Sequence, residues 1–176
     1  MLGAVAIMVS TVMLLPLGAL LVLLVHKIEG GVSILTLMMA FSVTTLMVLN
    51  FYGGLAFDAA AFRTDRPDAI VQALNDLGFL QPIGGTPLFL AIFGVLAYAI
   101  LITQSRGEEI FPRWFGYVNL LVVVLYLPEV LAFIFKTGPF AWNGVVGFWI
   151  PAIILIGYLA PSPFILRVAV RRAFPS

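Results

Sequence analysis

Apolar residues along this chain gather into five long runs separated by short polar turns. They span Leu2 to Val25, Val32 to about Phe57, about Pro82 to Thr103, Trp114 to Phe135 and about Val145 to Leu166. A helix needs about 20 residues to cross a hydrocarbon core of about 30 Å, and each run is near or above that length. Within lipid no water satisfies backbone N–H and C=O groups, so such runs fold as internally bonded helices. The pattern predicts an all-α integral membrane bundle of about five transmembrane helices, a single domain over residues 1–176.

The first run is expected to remain as a helix rather than act as a cleaved leader. It has no basic start, its apolar stretch is too long, and no small-x-small site separates it from the second run. Pro16 is expected to kink it, and His26-Lys27-Ile28-Glu29-Gly30-Gly31 reads as a tight turn.

The one long connection, Asp58 to Gln81, contains Thr64-Asp65-Arg66-Pro67-Asp68, the acid–proline–acid signature of a helix start. Ile70, Ala73, Leu74 and Leu77 follow at helical spacing and Gly78 is a natural stop. A short extracytoplasmic amphipathic helix between spans two and three is therefore predicted. It either lies in the headgroup region or against the bundle, or forms a lid over an outward-facing cavity.

Composition strengthens the membrane reading and narrows the chemistry. Of the 176 residues, 62% are hydrophobic and 10% charged, against about 25% charged in soluble domains. A net charge of +1 gives no field that would attract nucleic acid. The absence of cysteine removes disulfides, thiolate metal sites and cysteine nucleophiles, and a lone histidine, His26, removes a multi-histidine metal centre or bis-histidine haem. No cofactor is expected.

Lys27, Arg106, Arg113, Arg167, Arg171 and Arg172 fall on one side of the five spans, and Arg63, Arg66 and Lys136 on the other. The excess of basic residues marks the cytoplasmic side, which puts the N-terminus outside and the C-terminus in the cytoplasm. Trp114 then sits at the inner interface, and Trp142 and Trp149 near the outer one.

Glu129 is the leading candidate for chemistry. It lies in the fourth span, seven residues before Lys136. An ionisable group at such depth costs several kcal/mol unless it is protonated, paired or wetted. Pro128 beside it cannot donate to the carbonyl of Val124, which predicts a local kink. Asn119, Tyr126 and Glu129 share one broad helical face. Lys136 is expected to reach the interface rather than pair with Glu129. The competing structural role is a protonated carboxyl group that bonds a neighbouring helix or subunit.

Further candidates for ligand binding or proton carrying are Asn50, Tyr52 and Tyr98, with Ser42, Thr45 and Asn143 nearby in the pattern. They form a polar pocket only if the polar faces of spans two and four meet. Gly84, Gly85 and Gly94 are expected to permit close helix approach. Pro161 and Pro163 are expected to end or bend the fifth span, and Arg167, Arg171 and Arg172 suit anionic lipid heads. Arg106-Gly107-Glu108-Glu109 reads as a solvated turn.

The strings Phe111-Pro112-Arg113-Trp114-Phe115-Gly116-Tyr117-Val118-Asn119 and Lys136-Thr137-Gly138-Pro139-Phe140-Ala141-Trp142-Asn143-Gly144, with Phe148-Trp149, resemble a group of small bacterial polytopic membrane proteins. Asn75-Asp76-Leu77-Gly78-Phe79 is a weaker echo. The resemblance implies a multi-pass protein of the bacterial inner membrane and nothing catalytic. The helix count and size also fit the translocator protein family, whose tryptophan and proline motifs are absent here.

The expected function is a non-catalytic membrane component, an accessory or self-assembling subunit that contacts lipid or a hydrophobic ligand. Its expected partners are membrane lipids, other membrane subunits or further copies of itself. One alternative is a small proton-coupled transporter or channel using Glu129. Another is a membrane enzyme on a lipid-like substrate, with Glu129 as acid or base and Tyr126 or Asn119 orienting the substrate. A lone carboxyl group without a second acid, histidine or nucleophile argues against this last reading.

Overall fold

The computed structural model describes residues 2–104 and 109–175; among them the chain is helical and contains no strand. Among the described residues, four continuous helical stretches are long and apolar enough to cross a membrane, Leu2–Glu29, Ile34–Ala61, Asp68–Thr103 and Arg113–Phe133, and the count reaches five when the bent pair Val145–Leu159 and Ser162–Ala173 is taken as one span.

The chain opens with α1 (Leu2–Glu29) and α2 (Ile34–Ala61). α1 ends where Gly30 takes a φ of 73°, a left-handed conformation that glycine adopts without a Cβ clash. The Gly31 N–H donates to His26 O at 3.1 Å and the Gly30 N–H to Lys27 O at 3.3 Å, the crossed bonds of a Schellman ending. Ser33 then caps α2, its Oγ accepting from the Thr36 N–H at 3.2 Å.

The two helices touch through glycine. A Cβ at Gly54 would stand 2.7 Å from Met8 Cγ and 3.2 Å from Ala4 O, and one at Gly18 would collide with Val43. Where the surroundings are apolar, close backbone approach and polar contacts hold helices together better than greasy side chains do. The polar contact here is Asn50 Nδ2 donating to Thr11 Oγ1 at 2.7 Å.

α3 (Asp68–Gly84) corrects the expected stop at Gly78, because the helix continues to Gly84. Gly78 is a packing position instead, with the Phe57 ring 2.7 Å from where its Cβ would be. The first turn of α3 closes on Pro67 O, to which the Ile70 N–H donates at 2.9 Å. Arg66 Nη1 donates to Ala59 O at 2.7 Å and ties the connection to the last turn of α2. α3 is thus packed on the bundle, and Gly85 alone separates it from α4 (Thr86–Tyr98). A π-helical turn over Ala99–Thr103 follows.

Gly94, expected to permit close approach, has no other atom within 4 Å of its would-be Cβ. The close approach on α4's side lies at Gly116 of α5 (Arg113–Tyr126), where a Cβ would meet Leu101 Cγ at 2.7 Å.

The fourth run is not one α-helix. From Leu127 to Phe133 it tightens into a 3₁₀ helix with Pro128 in its first turn, where the missing proline N–H deprives the preceding turn of one donor. The fifth run is broken as the prolines suggested. A π turn (Val145–Trp149) leads into α6 (Ile150–Leu159), and α7 (Ser162–Ala173) turns away by 45° around Pro161.

The core has three centres. Leu24, Ile100, Phe111, Phe115, Leu166 and Ala169 join one end of α1 to α5 and α7. That end also carries Lys27, Arg113, Arg167, Arg171 and Arg172. Val25, Met39, Val43, Ile92, Val95 and Leu96 join α1, α2 and α4, while Phe93, Val122 and Tyr126 join α4, α5 and α6.

The link from α4 to α5 is closed by one side chain. Gln104 Nε2 donates to Phe111 O at 2.6 Å, and the Phe111 N–H donates back to Gln104 Oε1 at 2.8 Å. Arg172 Nη1 of α7 donates to Glu109 O at 3.2 Å. Ser105, Arg106, Gly107 and Glu108, most of the turn read as solvated, lie outside the described residues.

Candidate functional site around Glu129

The 3₁₀ segment changes where Glu129 sits. Each of its residues advances about 2.0 Å rather than about 1.5 Å, so Glu129 lies deeper below Lys136 than α-helical spacing implies. Residues three apart also eclipse in this geometry. Tyr126, Glu129 and Ala132 therefore line one inward edge, and all three are buried. Lys136 is exposed and donates to Phe133 O at 3.1 Å, closing the end of the helix.

Glu129 retains 8% of its surface exposed. Thr86, at the start of α4, lies beside it. The Thr86 hydroxyl is fully buried beside the carboxyl group, yet it makes no hydrogen bond of acceptable geometry. Tyr126, the other neighbour, is committed elsewhere, its hydroxyl donating to Pro151 O on α6 at 3.0 Å. Pro151 cannot donate, but its carbonyl is free to accept.

A Tyr126→Phe substitution should therefore lower stability by about 1 kcal/mol, the usual contribution of such a bond. Thermal unfolding in mild detergent would show this as a lower Tm; an unchanged Tm would mean that the bond contributes nothing.

Asn119 is fully buried two turns nearer the Phe111 end. Its Nδ2 donates to Phe115 O at 2.7 Å, and its Oδ1 accepts from the Tyr158 hydroxyl of α6 at 3.0 Å. Rings fill the space between. Phe89 and Phe93 flank Tyr126 at 5.8 and 6.0 Å, Phe93 meets Tyr158 at 4.9 Å, and Tyr158 stacks on Phe115 at 5.5 Å.

The remaining sequence candidates do not converge here. Asn50 is engaged with Thr11 on α1. Tyr52 and Tyr98 point outward, 57% and 52% exposed. The polar face of the second span does not meet that of the fourth, because α2 packs chiefly on α1, α3 and α4. Two residues that the sequence reading passed over stand at the site instead, Thr86 beside Glu129 and Tyr158 bonded to Asn119. The weak signal for Thr86 was its place before Pro87 at a helix start, where a threonine reads first as a cap.

Chemically the site is one enclosed carboxyl group, one orphan hydroxyl and a wall of aromatic rings. Among the described residues no group of three or more His, Asp or Glu could hold a metal ion. No protein-family model matches the chain, and neither curated proteins nor solved structures give a significant match.

Proposed function

We propose that this chain is a non-catalytic integral component of the bacterial inner membrane, an accessory or self-assembling subunit in contact with lipid or a hydrophobic ligand. The observation that carries this reading is how the polar groups are used. Asn50, Asn119 and Tyr126 are each engaged in bonds between helices, and Tyr52 and Tyr98 face outward. Groups used to fasten helices are not available to bind a polar substrate. The outer surface supports the membrane setting, since Met13, Phe41 and Ile156 are 76%, 69% and 70% exposed, an apolar exterior that water would not favour.

In this proposal the bent pair counts as the fifth span. The bundle end with Lys27, Arg113, Arg167, Arg171 and Arg172 faces the cytoplasm, leaving the N-terminus outside. The bacterial setting rests on the resemblance carried by Phe111–Asn119 and Lys136–Gly144.

A second reading, a small proton-coupled transporter or channel, is favoured by one observation, the orphan Thr86 hydroxyl beside the buried Glu129. Reconstitution into vesicles with an internal pH dye separates the two. The proposal expects proton flux at the level of empty vesicles for both the native chain and Glu129→Gln, with the same size and copurifying subunits for both. Flux that Glu129→Gln abolishes would establish transport and displace the accessory role.

A further inference from the structure

Resting on the reading of a lipid-contacting membrane component, we infer that the groove between α1 and α7 is a specific site for one anionic phospholipid. The groove has a volume of about 480 Å³ and is lined by Leu17 and Leu20 of α1 and by Pro163, Leu166, Arg167 and Arg171 of α7, among others. α7 leaves the line of α6 by 45° at Pro161, beside the groove.

Depth and charge together select the occupant. Leu17 and Leu20 precede His26 by nine and six residues, or about 14 and 9 Å along the helix. The apolar floor is therefore at the level of acyl chains, below the charged end of α1. Arg167 and Arg171 are one helical turn apart and both exposed, so two guanidinium groups stand on the same side of that floor. Aliphatic walls with paired guanidiniums above them fit an acyl chain capped by a phosphate, which arginine binds through two parallel N–H bonds. A zwitterionic headgroup cancels part of this attraction with its own ammonium.

Arg172 supplies an internal control. It lies on another face of α7 and donates to Glu109 O, outside the residues that line the groove.

The test is native mass spectrometry of the full chain released from mixed micelles with equal amounts of dioleoyl-phosphatidylglycerol and dioleoyl-phosphatidylcholine. The native chain should retain the anionic lipid preferentially. The double variant Arg167→Gln/Arg171→Gln should lose about thirtyfold of that preference, at about fivefold for each basic side chain near the headgroups. Arg172→Gln should keep it, and Arg167→Lys/Arg171→Lys, which keeps both charges but loses the paired N–H geometry, should fall between the native chain and the double glutamine variant, which guards against a loss caused by misfolding. Leu20→Gln should weaken retention of both lipids, whereas a free phosphate ion bound by the arginines alone would be insensitive to it and would compete. Equal retention of the two lipids by the native chain, an undiminished preference in the double glutamine variant, or displacement by inorganic phosphate would overturn the site. None of these readings needs a partner or an ion gradient, so the groove and the accessory role can fail separately.

Discussion

Replacing Phe111 by alanine is expected to lower stability by about 3–5 kcal/mol, the usual result of truncating a fully enclosed aromatic ring. Phe111 has no exposed surface and is among the largest wholly buried side chains. It packs with Leu24, Phe115, Leu166 and Ala169, so one ring joins α1, α5 and α7, and it stacks on Phe115 at 5.6 Å. The cavity left by alanine would be bounded by elements that cannot close on it together, because α7 is also held by the bond from Arg172 to Glu109. Denaturant unfolding followed by tryptophan emission should show the loss, and Trp114, beside Phe115, is a nearby reporter. A loss below about 0.5 kcal/mol, as for a surface change, would mean that this end of the bundle is not packed as described.

Gln104→Leu has the second largest expected effect, about 2–4 kcal/mol. The glutamine amide satisfies both the N–H and the C=O of Phe111 in a buried setting. Leucine fits the volume but strands both groups, at about 1–2 kcal/mol for each, the lower part of the usual range for a buried group left unpaired. Gln104→Glu is the informative companion. A carboxylate keeps an acceptor for the Phe111 N–H but has no donor for the Phe111 carbonyl unless protonated, so stability should recover in part as the pH falls. Both bonds go to the Phe111 main chain, so Phe111→Ala leaves them in place; the same denaturant unfolding should show the Gln104→Leu loss, and a loss below about 0.5 kcal/mol would count against the bracket.

Much of the fold was legible because long apolar runs and glycine turns leave few options. The turn at Gly30–Gly31 and the break at Pro161 follow from local chemistry that needs no neighbour. What was illegible depended on neighbours. Gly78 reads as a helix stop, yet the Phe57 ring needs the bare backbone there. Periodicity assigned Asn119, Tyr126 and Glu129 to one face, and all three are indeed buried. A face does not name its partners, however, so Thr86, Tyr158 and Thr11 were not foreseen as the groups meeting Glu129, Asn119 and Asn50. Tyr52 and Tyr98 do not join the Glu129 site because a tyrosine in an apolar run can equally turn outward. The switch to 3₁₀ after Tyr126 was visible only as a proline, which licenses a kink, a break or a tightening alike.

The unequal lengths of the helices have a mechanical consequence. α1 and α2 have 28 residues each, about 42 Å of helix, whereas the π turn and α6 supply 5 and 10 residues, about 22 Å before the break. In the proposed membrane setting, a bilayer matched to the long flank is too thick for the short one, and a bilayer matched to the short flank is too thin for the long one. Around α6 the lipid must thin or α7 must dip to make up the difference, and around α1 and α2 the helices must tilt or the lipid stretch. Elastic distortion of this kind costs fractions of a kcal/mol per ångström, and it is relieved when two short flanks share one thinned patch. In that setting this mismatch would draw neighbouring copies together without a complementary surface, to a degree set by the thickness of the bilayer.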